Sequence, residues 1–280
     1  MRIDTAINLA SIELKKNNIK SPLLDCEILM SKAINQNREF VILNLDRELN
    51  INDYKYYQEL VKSRSKGKPI AYITGKKSFW NYEFYLNEKT LIPRPDSELI
   101  IENVLKIYKN KSYVNFLEIG IGSGCIILSI LKEKKFFLGK GIDLSSECLK
   151  LCDINAKKLN VKSRLKLFKS DVDNFSQGKY DLIISNPPYI KKLDLKHLDK
   201  DVIDFEPIVA LNGGLEGLSE IRKVINKSSE LIKVKGKLIL EIAFDQKKEV
   251  TKLLKEKGFY VDKVLKDLAN NDRCVISTKV

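Results

Sequence analysis

The chain has a single histidine, His197, and its five cysteines form no Cys-x-x-Cys pair. Zinc sites take three or four ligands of these kinds at short spacings, so the sequence predicts no metal cofactor. The cysteines are predicted to be reduced and mostly buried. No apolar run is long enough to span a membrane, and residues 1–4 lack the apolar segment of a signal peptide. These features favour a cytoplasmic protein with no membrane partner.

Acidic residues are fewer than basic ones, 37 against 50, which leaves a net charge of +13. A basic chain favours an acidic partner, and nucleic acid is the obvious candidate. However, the lysines are scattered without a dense block and without interleaved aromatic residues. A composition heavy in Lys, Ile and Asn can also reflect a bias in coding. The charge alone is therefore weak support for nucleic acid as a substrate.

Glycine is absent before Gly67, and apolar residues up to that point recur at helical spacing. The clearest set is Ile3, Ala6, Ile7, Ala10 and Leu14. A second helix is predicted to begin near Pro22, and another to be capped by Asn52 or Asp53. We therefore predict a small all-helical domain over residues 1–66.

Glycine and proline become frequent after residue 66, and they separate short runs rich in aromatic and β-branched residues. These runs cover residues 70–74, 79–80 and 82–86. Such a texture is typical of short antiparallel strands joined by turns, so we predict a β-hairpin linker over residues 67–92.

Strands and helices alternate from about residue 113 to the end, which predicts an α/β domain over residues 93–280. The predicted strands cover residues 113–119, 136–143, 165–168, 182–185, 237–242, 259–265 and 273–278. The predicted helices cover residues 123–131, 146–159, 218–232 and 246–257. A polar stretch over residues 191–214 predicts a long loop, and loops of that length are usually functional.

One predicted strand stops abruptly at Asn186-Pro187-Pro188-Tyr189. Each proline fixes its own φ, lacks an N–H and pushes the preceding residue towards an extended conformation. The resulting stiff turn lies at the carboxyl end of a strand, where open α/β sheets hold ligands. It presents an amide side chain, bare carbonyls and an aromatic face, which suit a planar group bearing NH2. An ordinary strand-ending turn is the plain alternative.

A glycine-rich segment over residues 118–124 joins another apolar strand to a helix, in the pattern acidic-x-Gly-x-Gly-x-Gly. Glycine lets the backbone turn tightly and lets a ligand approach it closely. The dinucleotide fingerprint would need glycine where Cys125 stands. The observed spacing instead resembles the first motif of S-adenosylmethionine-dependent methyltransferases, in which Glu118 can lie near the amino group of the cofactor.

The next two strand ends supply further candidates for the cofactor site. Asp143 can accept hydrogen bonds from both ribose hydroxyls. Asp171 can accept from the adenine amine, and Val172 can flank the ring. The predicted cofactor-binding residues are Gly120, Ile121, Gly122, Ser123, Gly124, Asp143, Asp171, Val172 and Asn186.

Four blocks carry a resemblance that extends over nearly the whole chain: residues 67–75, residues 91–98, the glycine segment with residues 186–189, and residues 206–207 with 210–218. Together they resemble the bacterial protein N5-glutamine methyltransferases that modify peptide chain release factors. The chain departs from that family's usual residues at Glu118, Ser97, Val172 and Glu216, where Asp, Thr, an aromatic residue and Asp are usual. The first two changes keep the chemistry, whereas Val172 weakens any stacking on adenine.

The resemblance implies a seven-stranded, Rossmann-like class I methyltransferase domain preceded by a helical substrate-recognition domain and the hairpin. It implies that S-adenosylmethionine methylates the glutamine of a Gly-Gly-Gln loop in release factors. Asn186 and Pro187 are the predicted catalytic residues, because their oxygens can accept the two N–H groups of the amide. Pro188 would fix the carbonyl of Pro187, and Tyr189 would pack on the amide, which completes the predicted substrate site.

Three alternatives remain open. A sister group methylates a glutamine of a ribosomal protein, but it typically lacks the continuation found here at residues 95–98. Amino-methyltransferases of adenine N6 or guanine N2 share the Asn-Pro-Pro-Tyr turn, but the chain has no separate basic target-recognition domain. A binding module that kept only the fold is disfavoured by the intact glycine segment, Asp143 and Asn186 together.

Overall fold

The computed structural model describes all 280 residues. The chain divides into two compact units. The first unit, called the helical unit below, comprises Met1–Lys76 and Asp199–Phe205. The second unit, called the sheet unit, comprises Lys77–Leu198 and Glu206–Val280. No helix combines the length and the apolar character that crossing a lipid bilayer requires.

Eleven α-helices and nine strands make up the fold. The helices are α1 (Ile3–Lys16), α2 (Pro22–Ala33), α3 (Arg38–Leu43), α4 (Ile51–Ser65), α5 (Ile70–Thr74), α6 (Glu98–Ile107), α7 (Cys125–Glu133), α8 (Ser146–Lys158), α9 (Lys200–Phe205), α10 (Ser219–Leu231) and α11 (Lys247–Glu256). The strands are β1 (Lys76–Phe79), β2 (Tyr82–Tyr85), β3 (Asn115–Ile119), β4 (Leu138–Asp143), β5 (Leu165–Lys169), β6 (Tyr180–Ser185), β7 (Ile232–Glu241), β8 (Phe259–Lys266) and β9 (Asp272–Lys279).

The helical unit packs α1, α2 and α4 around an apolar core, to which α1 contributes the residues whose spacing predicted it. The predicted cap of α4 is wrong. Asn50, two residues before the earlier of the two predicted caps, accepts a hydrogen bond from the backbone N–H of Asp53 at 2.8 Å. A side-chain acceptor at this position satisfies one of the four free N–H groups of the first turn.

Residues 70–74 form the short helix α5, so the prediction that they belong to a hairpin is wrong. Pro69 stands just before the helix, and Gly75 ends it with a left-handed φ of +74°. Ile70 and Ile73, three positions apart, both pack on the core of the helical unit. A helix places both isoleucines on this core, and that tertiary packing outweighs the strand preference of β-branched residues. The hairpin itself is confined to β1 and β2.

The sheet unit contains seven strands in the order β5-β4-β3-β6-β7-β9-β8. All are parallel except β9, which runs antiparallel to both of its neighbours. Helices α6, α7 and α8 cover one face, and α10 and α11 cover the other. This architecture confirms the predicted seven-stranded α/β fold with a helical region and a hairpin before it.

The stretch over residues 191–214 is less irregular than the predicted loop. It contains α9 and two short 3₁₀ turns, at Leu195–His197 and Ile208–Ala210. Its middle part, Asp199–Phe205, belongs to the helical unit, where the ammonium of Lys20 lies 2.7 Å from the carboxylate of Asp199. So short a helix depends on tertiary contacts, which local sequence does not reveal.

Candidate active site

Strand register brings the predicted site residues to one edge of the sheet. In the middle of the sheet, Ile119 of β3 pairs with Ile142 of β4 on one side and with Ser185 of β6 on the other. The residues that follow these three strands therefore lie side by side at their carboxyl ends. The chain order reverses between β3 and β6, and open α/β sheets bind their ligands at such a reversal.

The glycine loop, residues 120–124, follows β3. Gly120, Gly122 and Gly124 all have left-handed φ values, of +76°, +53° and +81°. A Cβ added to Gly120 or Gly122 would meet nothing within 4 Å, whereas one added to Gly124 would clash with the sulfur of Cys152. The first two glycines therefore border open space that a ligand could fill, and the third lets α8 approach the loop closely.

Asp143, at the end of β4, forms a hydrogen bond with this loop. Its carboxylate accepts hydrogen bonds from the N–H of Gly122 at 3.0 Å and from the N–H of Ser145 at 2.8 Å. Burial raises the pKa of Asp143 above its ordinary value, and the N–H groups of Ser145 and Gly122 oppose that shift. Each carboxylate oxygen keeps a second lone pair, so Asp143 can also accept from the hydroxyls of a ribose.

Glu118 lies one residue before the loop and is almost fully buried. One of its oxygens accepts a hydrogen bond from the N–H of Ile127 at 2.8 Å, in the first turn of α7. Burial raises the pKa of Glu118 well above its ordinary value, and the nearby Asp143 adds to the shift. The structure therefore shows Glu118 bonded to a helix N-terminus, a role that the sequence did not predict.

The remaining predicted cofactor residues differ in what they expose. The side chains of Ile121, Ser123 and Val172 are buried in the protein, so their main-chain atoms are what remains for a ligand. Asp171 lies two residues beyond Lys169, the residue that pairs with Asp143. One oxygen of Asp171 accepts from the N–H of Asp173 at 2.9 Å, which leaves the other oxygen for a ligand.

The Asn-Pro-Pro-Tyr turn follows β6 and is held by a chain of hydrogen bonds. The amide NH2 of Asn186 donates to the hydroxyl oxygen of Ser97 at 3.1 Å. The hydroxyl of Ser97 donates to the carboxylate of Glu241 at 2.5 Å, and the hydroxyl of Tyr189 donates to the other oxygen of the same carboxylate at 3.1 Å. Burial raises the pKa of Tyr189, with the charge of Glu241 adding to the shift, so this hydroxyl keeps its proton.

The carbonyls of the turn have different surroundings. The carbonyl of Tyr189 accepts a hydrogen bond from the buried amide of Gln246 at 3.1 Å. The carbonyl of Pro188 would lie 2.8 Å from a Cβ at Gly213, so the following loop packs directly against it. The carbonyl of Pro187 and the side-chain oxygen of Asn186 accept no hydrogen bond from the protein. Two adjacent oxygens beside the glycine loop thus have no donor in the protein.

An ion pair between the half-buried Arg94 and the buried Glu206 flanks the turn. The guanidinium of Arg94 lies 2.6 Å from one oxygen of Glu206, and the N–H of Ile92 donates to the other oxygen at 3.2 Å. The charge of Arg94 also acts on the hydroxyl of Tyr189. The pair therefore links the segment before α6 to Glu206, the residue that follows α9. This link lies next to the Asn-Pro-Pro-Tyr turn.

Sequence reasoning missed three buried polar residues at the site: Glu241, Gln246 and Asn155. Asn155 joins the hairpin to the glycine loop, because its NH2 donates to the carbonyls of Tyr85 and Ser123, at 3.0 Å each. A signal existed for Glu241, since it ends an apolar strand in the same way as Asp143. The structure brings together no cluster of three or more His, Cys, Asp or Glu side chains that could hold a metal ion.

Two family models match the chain. The model of the PrmC N-terminal domain matches residues 5–75, and the model of the methyltransferase small domain matches residues 95–263. The release factor glutamine methyltransferase of Clostridium acetobutylicum is 35% identical over 282 residues, which cover 100% of this chain and 99% of that protein.

Two further proteins match over different shares of their length. The bifunctional methyltransferase of Rickettsia conorii is 31% identical over 97% of this chain, but the match spans only 56% of that longer protein. The crystal structure of a methyltransferase from Pyrococcus furiosus superposes with a TM-score of 0.51 at 21% identity, over 70% of this chain and 88% of that one. At this identity the structural likeness concerns the fold alone.

Proposed function

Because the chain belongs to the release factor glutamine methyltransferase family, we propose that it methylates a glutamine side chain of peptide chain release factors. The acceptor is the amide nitrogen, N5, of the glutamine in the Gly-Gly-Gln loop. S-adenosylmethionine is the methyl donor. The enzyme acts in the cytoplasm, where this protein substrate works on the ribosome.

One observation carries this proposal. Two oxygen acceptors, the side chain of Asn186 and the carbonyl of Pro187, lie adjacent at the carboxyl end of β6 with no protein donor. A primary amide offers two N–H donors on one planar nitrogen, and these two acceptors can take one each. Pro188 holds the carbonyl in place by restricting the residue before it, and the ring of Tyr189 can pack on the amide plane.

The chemistry needs positioning more than it needs a base. An amide nitrogen is a poor nucleophile because its lone pair is delocalised into the carbonyl. When bound, S-adenosylmethionine supplies an electrophilic methyl group on a sulfonium. By holding both N–H groups, Asn186 and Pro187 orient the nitrogen towards that methyl, and such alignment supplies up to about 7–11 kcal/mol of the barrier. As the nitrogen gains the methyl it becomes acidic, and one proton leaves to water.

The cofactor site follows from the strand ends. The main chain of Gly120 and Gly122 approaches the cofactor, and Asp143 accepts from its ribose hydroxyls. Asp171 accepts from the adenine amine, while Val172 flanks the ring. The open space beside the first two glycines supports this arrangement.

Residues 1–66 recognise the body of the release factor, residues 67–92 act as the linker, and residues 93–280 hold the cofactor and the reacting amide. The match of the N-terminal family model to residues 5–75 supports a separate function for the helical part.

The test offers labelled S-adenosylmethionine with three substrates: a release factor, the same factor with the loop glutamine changed to alanine, and DNA. We expect label only in the unaltered factor. Label in DNA but not in the factor would instead favour a nucleic-acid amino-methyltransferase, an alternative that the charge of +13 keeps open.

Two variants separate chemistry from cofactor binding. Asn186→Ala should abolish methyl transfer and leave the calorimetric affinity for S-adenosylmethionine within a few-fold, because Asn186 is only one of the predicted cofactor-binding residues and the loop glycines, Asp143 and Asp171 remain. Asp143→Ala should weaken that affinity by at least about tenfold. Asn226→Ala, an exposed change on α10, is the matched control. A fully active Asn186→Ala enzyme would refute the role given to that residue.

A further inference from the structure

Glu241 is a buried acidic residue that the reaction as proposed does not use. It ends β7, and its strand neighbour Leu240 pairs with Ser185, the residue just before Asn186. Only about 1% of Glu241 is exposed, and each of its two oxygens accepts a hydrogen bond from a side chain of the site, one from Ser97 and one from Tyr189. A carboxylate is costly to bury, so its presence here calls for a function.

The hydrogen bonds through Ser97 have a defined direction. An ionised carboxylate can only accept, so the hydroxyl hydrogen of Ser97 must point to Glu241. The hydroxyl oxygen is then an acceptor, and Asn186 must turn its NH2 towards it. The hydrogen-bond network therefore fixes the orientation of the Asn186 amide. It leaves the side-chain oxygen of Asn186 as the atom available to a substrate.

We propose that Glu241, acting through Ser97, is a positioning residue that fixes the amide orientation of Asn186 for methyl transfer. This inference rests on the proposed function, since it assigns to Asn186 the task of accepting an N–H of the substrate. With the amide turned the other way, Asn186 would present NH2 to the NH2 of the substrate, and no hydrogen bond could form. The same carboxylate accepts a hydrogen bond from Tyr189. One buried carboxylate therefore orients the side chains at both ends of the turn, Asn186 and Tyr189.

Protonation of Glu241 would remove this directionality. A carboxylic acid can donate to Ser97, whose hydroxyl can then donate to the oxygen of Asn186 and reverse the relay. The charged and titratable groups around Glu241 are Tyr189, Arg273, Asp96, Cys125 and Cys274. Burial raises the pKa of Glu241 above its ordinary value, and the hydrogen bonds from Ser97 and Tyr189 and the charge of Arg273 oppose the shift. Activity should therefore fall as the pH decreases through this raised pKa.

The experiment measures kcat, KM for the release factor and the affinity for S-adenosylmethionine in four variants. Ser97→Ala removes the acceptor that orients Asn186. Glu241→Gln keeps the shape but replaces one of the two acceptor oxygens by an NH2 donor, so that Ser97 and Tyr189 can no longer both donate to this side chain. Ser97→Thr keeps the hydroxyl. Ser277→Ala is the matched control, because Ser277 is an equally buried serine with one hydrogen bond, to the carbonyl of Leu238 on the same strand as Glu241.

We expect kcat to fall by at least about tenfold in Ser97→Ala and Glu241→Gln, with little change in KM or cofactor affinity. Ser97→Thr and Ser277→Ala should keep kcat within about threefold of the wild type. At saturating cofactor, the acid limb of the wild-type pH profile of kcat should be absent in Glu241→Gln. A merely structural role for Glu241 would lower the thermal midpoint without changing that profile.

Two results would overturn the inference. One is wild-type kcat in both Ser97→Ala and Glu241→Gln while Asn186→Ala is inactive, since Asn186 would then need no orienting group. The other is an unchanged acid limb in Glu241→Gln. Both are measured on a wild-type enzyme that methylates the release factor, so they are distinct from failure of the proposed function, in which the wild-type enzyme leaves the factor unlabelled.

Discussion

Three acidic residues at or near strand ends have different functions because their hydrogen-bond partners differ. Glu118, Asp143 and Glu241 all lie at the carboxyl edge of the sheet, and burial raises the pKa of each. Their partners differ. Glu118 bonds the first turn of a helix, Asp143 grips the glycine loop, and Glu241 receives two hydroxyls. The partner, and not the residue type, decides which of them stays available to a ligand.

The raised pKa of Glu118 predicts a pH-dependent stability difference. In the unfolded chain this carboxyl ionises near 4.5, whereas in the folded protein its pKa is well above that value. The folded state therefore binds more protons, and the contribution of Glu118 to stability is present at low pH and is lost as the pH rises above about 4.5. Glutamine does not titrate and can still accept from the N–H of Ile127.

Glu118→Gln should therefore have a higher thermal midpoint than the wild type at about pH 8, and this advantage should shrink or vanish at about pH 4. Scanning calorimetry without cofactor at the two pH values measures it. A difference in midpoint that is the same at both pH values would show that Glu118 titrates alike in the folded and unfolded chain.

At the scale of elements, the junction of β3, the glycine loop and α7 is fixed from several sides. The N–H of Gly120 donates to the carbonyl of Ile142 on β4 at 2.9 Å. Asn155 on α8 holds the carbonyl of Ser123 at 3.0 Å. On α7, Glu133 accepts from the indole N–H of Trp80, at the turn of the hairpin, at 2.9 Å. The loop is therefore held in shape by neighbouring elements before any ligand binds.

Two alanine substitutions in the glycine loop should distinguish a glycine needed for packing from a glycine needed for ligand binding. Gly124→Ala adds a methyl group that clashes with Cys152, at a left-handed φ, and should lower the free energy of unfolding by about 2–4 kcal/mol. Gly122→Ala meets open space and should cost only about 1–2 kcal/mol, for its left-handed φ, while weakening cofactor binding.

Urea denaturation and calorimetric titration with S-adenosylmethionine measure the two effects. The double variant Gly124→Ala with Cys152→Ala is the internal control, because shortening the opposing side chain should restore part of the lost stability. Equal stability of the two single alanine variants would contradict the packing role given to Gly124.

At the scale of the whole molecule, the two units have separate apolar cores. The helical unit also contains a buried ion pair, in which the guanidinium of Arg64 lies 2.7 Å from the carboxylate of Asp25. Arg64 further donates to the carbonyls of Gly67 and Lys68, at 3.1 and 3.0 Å. The single tryptophan, Trp80, belongs to the sheet unit, so its fluorescence reports on that unit.

Arg64→Met should therefore destabilise the helical unit by about 3–5 kcal/mol, because it leaves Asp25 buried and unpaired. We expect the midpoint of the far-ultraviolet circular dichroism transition in urea to fall, while the midpoint of Trp80 fluorescence stays unchanged. Lys20→Met, which breaks the exposed pair with Asp199, is the control and should change neither midpoint. A parallel fall of both midpoints in Arg64→Met would mean that the units unfold together.

Much of the fold could be predicted from the sequence, because its signals are local. Apolar spacing predicted α1 and α2, and alternating strands and helices predicted the seven-stranded sheet. Apart from the local cap of α4, the errors arose where tertiary contacts override local preference. Residues 70–74 are helical because Ile70 and Ile73 pack on a core. Residues 200–205 form α9 within a stretch whose polar composition predicted a loop.

The sequence by itself determined where the strands end to within one residue, where the backbone must turn through glycine, and that an asparagine is followed by two prolines. These properties depend on backbone dihedral angles and on apolar spacing over a few residues. Only the tertiary structure decided which side chains meet. Asn186 reaches Ser97 across 89 positions, and Ser97 reaches Glu241 across 144. Strand order and register place these three together, and no local signal specifies the direction of the hydrogen bonds between them.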